Sequence, residues 1–221
     1  MLTTEEENYP GSPQGVTGHE MMDLFRKQAE RFGAKVEYLD ATEVDISKRP
    51  FRVSSGPDVY TADALIVATG AAAKWLGLES ETRLQNRGVS ACATCDGALY
   101  RGKEIGVVGG GDTAIEEALF LTRFGTRVIV VHRRGELRAS KIMQDRAFSN
   151  KKIEFLWNSV VEEILDSKAG KVTGVRLKNV NTNETTVYEC GGVFIAIGHQ
   201  PNTGFLKGVI DLDDKEYIKV T

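Results

Sequence analysis

The sequence is short of cysteine: three among 221 positions, an odd number. A secreted disulfide scaffold needs an even and denser set, so that class is excluded. No apolar run approaches the roughly 18 residues that a membrane helix requires. The first residues, Met1-Leu2-Thr3-Thr4-Glu5-Glu6-Glu7, lack both a basic region and an apolar stretch, so they do not read as a signal peptide. Neither sign of charge dominates, since 28 Lys and Arg stand against 31 Asp and Glu for a net charge of −3. That balance argues against nucleic acid as a partner, because such a footprint needs a concentrated basic face. No repeat and no low-complexity tract is visible. Proline is scarce at 5 while glycine reaches 23, so the tight turns must be glycine turns, the kind that lets backbone approach a ligand. With 41% hydrophobic and 27% charged residues, the chain can build one or two real cores. The expectation is a soluble, cytoplasmic α/β protein.

Along the chain, Thr17 and Glu20 form a T-x-x-E capping box. Met21, Met22, Phe25, Ala29 and Phe32 then recur at helical spacing until Gly33 stops the run. Strand-like pieces follow at 36–39, 51–53, 59–61 and 65–68, which together suggest an antiparallel meander. The later sequence has a different rhythm. A strand at 104–108 runs through a glycine turn into a helix at 112–124, and Gly125 precedes a strand at 127–131. That order is a βαβ unit and implies a parallel sheet. Further strands are expected at 153–157, 172–177, 185–189 and 192–197, with a hairpin turn at Asn181-Thr182-Asn183. Two glycine segments directly follow apolar strands, Gly70-Ala71-Ala72-Ala73 and Gly198-His199-Gln200-Pro201. They are the expected places where the chain enters and leaves a second domain, and a double crossing makes a hinge.

Three motifs carry chemistry. Gly109-Gly110-Gly111-Asp112-Thr113-Ala114 is a G-x-G-x-x-A turn between strand and helix. Gly109 permits the turn, Gly111 lets backbone approach a pyrophosphate, and Ala114 keeps helix near strand; the helix N-terminus adds free N–H groups. The competing reading is a glycine turn with no ligand. Where an NAD-binding fold would place an acid for the ribose, this sequence has His132-Arg133-Arg134, then Arg138. Guanidinium groups suit a 2′-phosphate, which points to NADPH; the alternative is a solvated basic edge. Cys92-Ala93-Thr94-Cys95-Asp96 offers two thiols able to close a small disulfide, with Asp96 placed to move a proton. Zinc is the alternative, but it commonly needs two such pairs, and only Cys190 remains. No metal site is expected.

These motifs, together with Ala196-Ile197-Gly198-His199-Gln200-Pro201-Asn202, Glu7-Asn8-Tyr9-Pro10-Gly11 and Ala68-Thr69-Gly70, resemble the low-molecular-weight thioredoxin reductases of bacteria and archaea. The resemblance covers essentially the whole chain. It implies a two-domain, Rossmann-like FAD/NAD(P)-binding fold of the pyridine nucleotide-disulfide oxidoreductase type. It also implies a homodimeric flavoenzyme that takes electrons from NADPH through FAD to a Cys92–Cys95 disulfide and on to thioredoxin. The cysteine matching Cys95 lies nearer the flavin, the one matching Cys92 attacks the substrate, and Asp96 is the acid. Thr113, His132, Arg133, Arg134, Arg138 and Ile197 would line the NADPH site with Gly109, Gly111 and Ala114, and Tyr217 would contact NADPH across the domain interface. Leu2, Thr3, Thr4, Asn8, Ala41 and Gly70 match positions near FAD.

Members of that group run about 100 residues longer, so the expectation is a chain truncated at both ends with an incomplete FAD domain. The expected division is 1–73 as a partial FAD domain, 74–197 as the NADPH and disulfide domain, and 198–221 as the returning FAD segment. Two further readings stay open: an NADPH-binding fragment without flavin or turnover, and a flavoprotein reductase feeding another disulfide partner.

Overall fold

The computed structural model describes residues 9–166 and 170–220. Its chain divides into two compact units. One is built from His19–Ala72 and His199–Thr221, the other from Ala73–Gly198 together with the chain up to Gly18.

The first of these opens with α1 (Gly18–Arg31). Gly33 ends it at φ +89°, while its N–H bonds the Glu30 carbonyl and the Ala34 N–H reaches back to the Ala29 carbonyl. Those two bonds are a Schellman cap, the stop that the glycine predicted. Strands β1 (Glu43–Asp45), β2 (Phe51–Ser55) and β3 (Asp58–Ala62) form an antiparallel meander, with β2 and β3 at the expected 51–53 and 59–61 and β1 where no strand was expected. The expected strands at 36–39 and 65–68 are absent. A strand is held by its ladder, and among the described residues neither segment pairs with a neighbour. Tyr38 and Ile66 are accordingly 83% and 90% exposed.

The chain crosses to the other unit through β4 (Ala71–Ala73), continues through α2 (Glu79–Leu84), β5 (Val89–Ser90) and α3 (Ala93–Asp96), and reaches β6 (Glu104–Gly109) and α4 (Asp112–Leu121). Then come β7 (Arg127–Val131), α5 (Lys141–Ser149) and β8 (Ile153–Leu156). An antiparallel trio, β9 (Ser159–Asp166), β10 (Val172–Asn179) and β11 (Thr185–Glu189), precedes β12 (Gly192–Ala196) and the return strand β13 (His199–Pro201). β13 pairs with β4, so the outgoing and incoming strands run side by side.

The central sheet is parallel throughout, in the order β5-β12-β6-β7-β8. Both of its faces are covered, which is why its strands read as continuous apolar runs. Ile105, Val107, Val128, Val130 and Phe194 face one core with Ala114, Ile115, Ala118 and Leu121 of α4. The alternate residues Val108, Ile129, Val131, Val193 and Ile195 face a second core with Ile164, Val175 and Leu177 of the antiparallel trio. Burying side chains on both faces fixes the register, because a one-residue slip would exchange the two cores. Helix α4 stops a turn earlier than its sequence suggested, although the Gly125 N–H still bonds the Leu121 carbonyl.

Candidate functional site

The C-terminal ends of the parallel strands carry the first site. Gly109 closes β6 with its α-carbon against the next strand, since a side chain there would stand 2.3 Å from the Ala196 carbonyl and 2.6 Å from the Ala114 methyl. Gly110 was not singled out from the sequence, yet it is as constrained. A β-carbon on it would fall 2.3 Å from the His132 ring. Its carbonyl accepts the N–H groups of Arg138 (2.7 Å) and Ala139 (3.1 Å), tying the glycine turn to the segment after β7. Asp112 makes a second tie, accepting the Ser140 N–H at 2.8 Å and the Ser140 hydroxyl at 2.6 Å. Those bonds hold the Asp112 carboxyl below its ordinary range.

Gly111 is different: the space where its side chain would stand is open. It is the N-cap of α4 and provides no side-chain cap, so the helix N-terminus faces that space with donors unanswered by any capping side chain. A cavity of about 390 Å³ lies beside the turn, lined by Leu76, Gly109, Gly110, His132, Ala196 and Ile197 among others, with Gly111 and Thr113 outside its lining. Arg133 and Arg138 stand at its wall, and Arg134 lies outside the lining. All three are exposed, and among the described residues none is paired with an acid. Thr113 is exposed and Ala114 fully buried. These features fit a dinucleotide, with an open helix end for the pyrophosphate and unpaired guanidinium groups for a terminal phosphate.

His132 stands in the cavity lining, where the sequence placed it. Its ring lies beneath Gly110, 5% exposed, edge-on to Trp157, and its Nε2 has no partner. Burial, then the three neighbouring arginines, lowers its pKa against the pull of a Glu136 backbone bond. The ring supports the glycine turn from below.

The second site is the redox turn. Cys92 and Cys95 form a disulfide with their α-carbons 5.3 Å apart. Cys92 is the N-cap of α3, and both cysteines are half-buried. Asp96 is 7% exposed and accepts a hydrogen bond from the Ser90 hydroxyl at 2.7 Å, while the Ser90 oxygen accepts the Cys92 N–H at 3.1 Å. Ser90, fully buried on β5, thus joins the acid to the disulfide backbone; the sequence gave no sign of this. Cys190 is buried between β11 and β12, and burial pushes its thiol up to about 12, so it is inert. Among the described residues no cluster suits a metal ion.

Tyr217 lies in the other unit, 44% exposed, on a turn where Asp213 accepts its N–H at 2.9 Å. Of the residues expected near FAD, Leu2, Thr3, Thr4 and Asn8 fall outside the described residues. Ala41 is half-buried beside β1. Gly70 has φ +64° with open space at its β-carbon, so a flat ligand could lie against its backbone.

Comparison with known proteins agrees with this arrangement. The family model described as "Pyridine nucleotide-disulphide oxidoreductase" matches residues 1–221. A thioredoxin reductase of Chlamydia trachomatis is 52% identical over 222 residues, covering 99% of this chain and 70% of that protein. One of Rickettsia conorii is 50% identical over 219 residues, covering 98% of this chain and 71% of its own length. The solved structure of thioredoxin reductase from Streptococcus pyogenes superposes with a TM-score of 0.81 at 41% identity, covering 98% of this chain and 70% of that one. The chain therefore belongs to the pyridine nucleotide-disulphide oxidoreductase family, in its thioredoxin reductase branch.

Proposed function

We infer that the protein is an NADPH-dependent thioredoxin-disulfide reductase. The observation that carries this reading is the presence, in one compact unit, of a closed C-x-x-C disulfide and a dinucleotide cavity with unpaired arginines at its wall.

In the reduced protein, the Cys92 thiolate attacks the disulfide of thioredoxin. A mixed disulfide forms, and the departing thioredoxin sulfur takes its proton from Asp96. Cys95 then attacks the Cys92 sulfur, which releases dithiol thioredoxin and restores the Cys92–Cys95 bond. Ser90 keeps Asp96 aimed at this turn. The open N-terminus of α4, with Gly109, Gly111, Thr113 and Ala114, holds the pyrophosphate of NADPH; Arg133, Arg134 and Arg138 hold its 2′-phosphate, and Ile197 packs beside it. Bound FAD supplies the relay that turns a hydride from NADPH into the electron pair a disulfide accepts. Leu2, Thr3, Thr4, Asn8, Ala41 and Gly70 are assigned to FAD and Tyr217 to NADPH; Ala41, Gly70 and Tyr217 lie in the unit built from His19–Ala72 and His199–Thr221.

A homodimer in the cytoplasm completes the reading; among the described residues no helix is long and apolar enough to cross a membrane. Sedimentation of the purified protein tests the dimer. The activity test is NADPH consumption on adding oxidised thioredoxin, with Cys95→Ser alongside. The expected result is turnover in the wild type and none in the variant. Retained turnover in Cys95→Ser overturns the dithiol scheme.

A further inference from the structure

A second carboxyl stands at the disulfide turn, and the scheme above does not use it. Glu117 belongs to α4, one turn beyond Ala114, the residue that packs against Gly109. Helix α3 packs on α4, and the Glu117 carboxyl accepts the backbone N–H of Ala93, the residue directly after Cys92. Its other oxygen, Oε2, is buried with no partner. A half-satisfied buried carboxyl is costly, and an apolar residue would fill the place at lower cost. We propose that Glu117 is the proton store of the disulfide turn, binding a proton when the Cys92–Cys95 bond is reduced and releasing it when the bond reforms.

The balance is simple. The electron pair that the reductase activity proposed above delivers breaks the sulfur–sulfur bond, leaving one thiolate and, with one proton, one thiol. The new thiolate is a negative charge beside Glu117, and a like charge favours the protonated carboxyl, which takes up the second proton. Reoxidation by a disulfide substrate removes the thiolate and frees that proton.

The surroundings suit this role. Burial is the main cause that raises the Glu117 pKa to about 7; the Ala93 N–H opposes it and the neighbouring Glu116 adds to it. The other ionisable groups on the elements against α4 are accounted for. Asp96 on α3 is bonded to Ser90, and Tyr100, just beyond, is pushed up to about 12 by burial and by Asp96. Lys141 and Asp145 on α5 pair with each other. Arg146 lies in the last turn of α5. Glu104 on β6 and Arg127 on β7 pair at the far end of the sheet.

The test needs only the disulfide, so it stands or fails separately from the thioredoxin assignment. The purified protein is equilibrated with oxidised and reduced dithiothreitol at pH 6 and pH 8, and the dithiol fraction is counted by alkylation and mass. In Glu117→Gln, which keeps the size and removes the charge, the dithiol should be favoured about tenfold over wild type at pH 8, the effect of one pKa unit of interaction. At pH 6, where the wild-type carboxyl already carries its proton, the two proteins should agree. An equal shift at both pH values, or none at either, overturns the proposal. Proton uptake on reduction of the wild type, read in weakly buffered solution at pH 7.5, covers the case of a variant that does not fold. Two protons are expected per disulfide while one sulfur still absorbs as a thiolate in the ultraviolet; a single proton, or two protons with no thiolate, refutes the proposal.

Discussion

The two ends of the parallel sheet use charge in opposite ways. At the N-terminal ends of β6, β7 and β8, charges are answered in rungs. Arg127 donates to Glu104 at 3.0 Å and to Glu154 at 3.2 Å, and the Tyr188 hydroxyl donates to Glu104 at 2.5 Å. At the C-terminal ends of the same strands Arg133 and Arg138 have no acidic partner, α4 has no side-chain cap, and a buried imidazole nitrogen has no partner. Unpaired groups cost stability unless something binds them. The contrast lies in the charges, since the Arg127 Nε is also buried without a partner: acids answer the guanidinium at one end of the sheet, and the exposed guanidinium groups at the other suit a dinucleotide phosphate.

The contrast can be broken in five ways. Gly110→Val drives a side chain into the His132 ring and should weaken NADP⁺ about tenfold to a hundredfold by calorimetry, the 1–3 kcal/mol of a forced shift. Its counterpart at the other end, Gly102→Ala, meets open space at φ +75° and should cost about 1 kcal/mol of stability with cofactor affinity unchanged. Arg133→Ala combined with Arg138→Ala should weaken NADPH by roughly tenfold while NADH changes less than about twofold, since only NADPH carries the phosphate. Equal losses would remove these arginines from the phosphate site.

His132 links the site to pH. Its folded pKa is depressed by burial, so the folded protein favours the neutral ring. Stability should be full above the ordinary value of 6.5 and fall as pH drops below it. Melting curves of His132→Gln should show a shallower fall over the same range. Arg127→Gln should have the smallest effect, under about 1 kcal/mol and fading with salt, because its rungs are more than one third exposed.

The sequence made the βαβ core readable because each signal there is local. An apolar run, a glycine turn and a helical pattern follow one another from Glu104 to Val131. Segments 36–39 and 65–68 looked like strands by the same local rule, but a strand also needs a neighbour, which no local pattern reports. Strand β9 escaped notice because its acidic residues, Glu162, Glu163 and Asp166, masked the inward Val161 and Ile164. The site divides along the same line. Cys92, Cys95, Asp96, Gly109 and the arginines belong to contiguous motifs. Gly110 against His132, Ser90 under Asp96 and Glu117 beneath Ala93 are relations across sequence, set by how strands and helices stack.

The pairing of β4 with β13 has a consequence for how the molecule is made. Both sites and the whole parallel sheet lie in the uninterrupted stretch Ala73–Gly198, which with the chain up to Gly18 makes one unit, whereas the other is divided between His19–Ala72 and His199–Thr221. On the ribosome that stretch can complete its sheet as soon as β12 emerges. The divided unit must wait for β13, closing a loop as long as the whole inserted unit. Folding that insert first shortens the loop from a flexible chain to the gap between two adjacent strands, so the order of synthesis removes most of the entropy of closure.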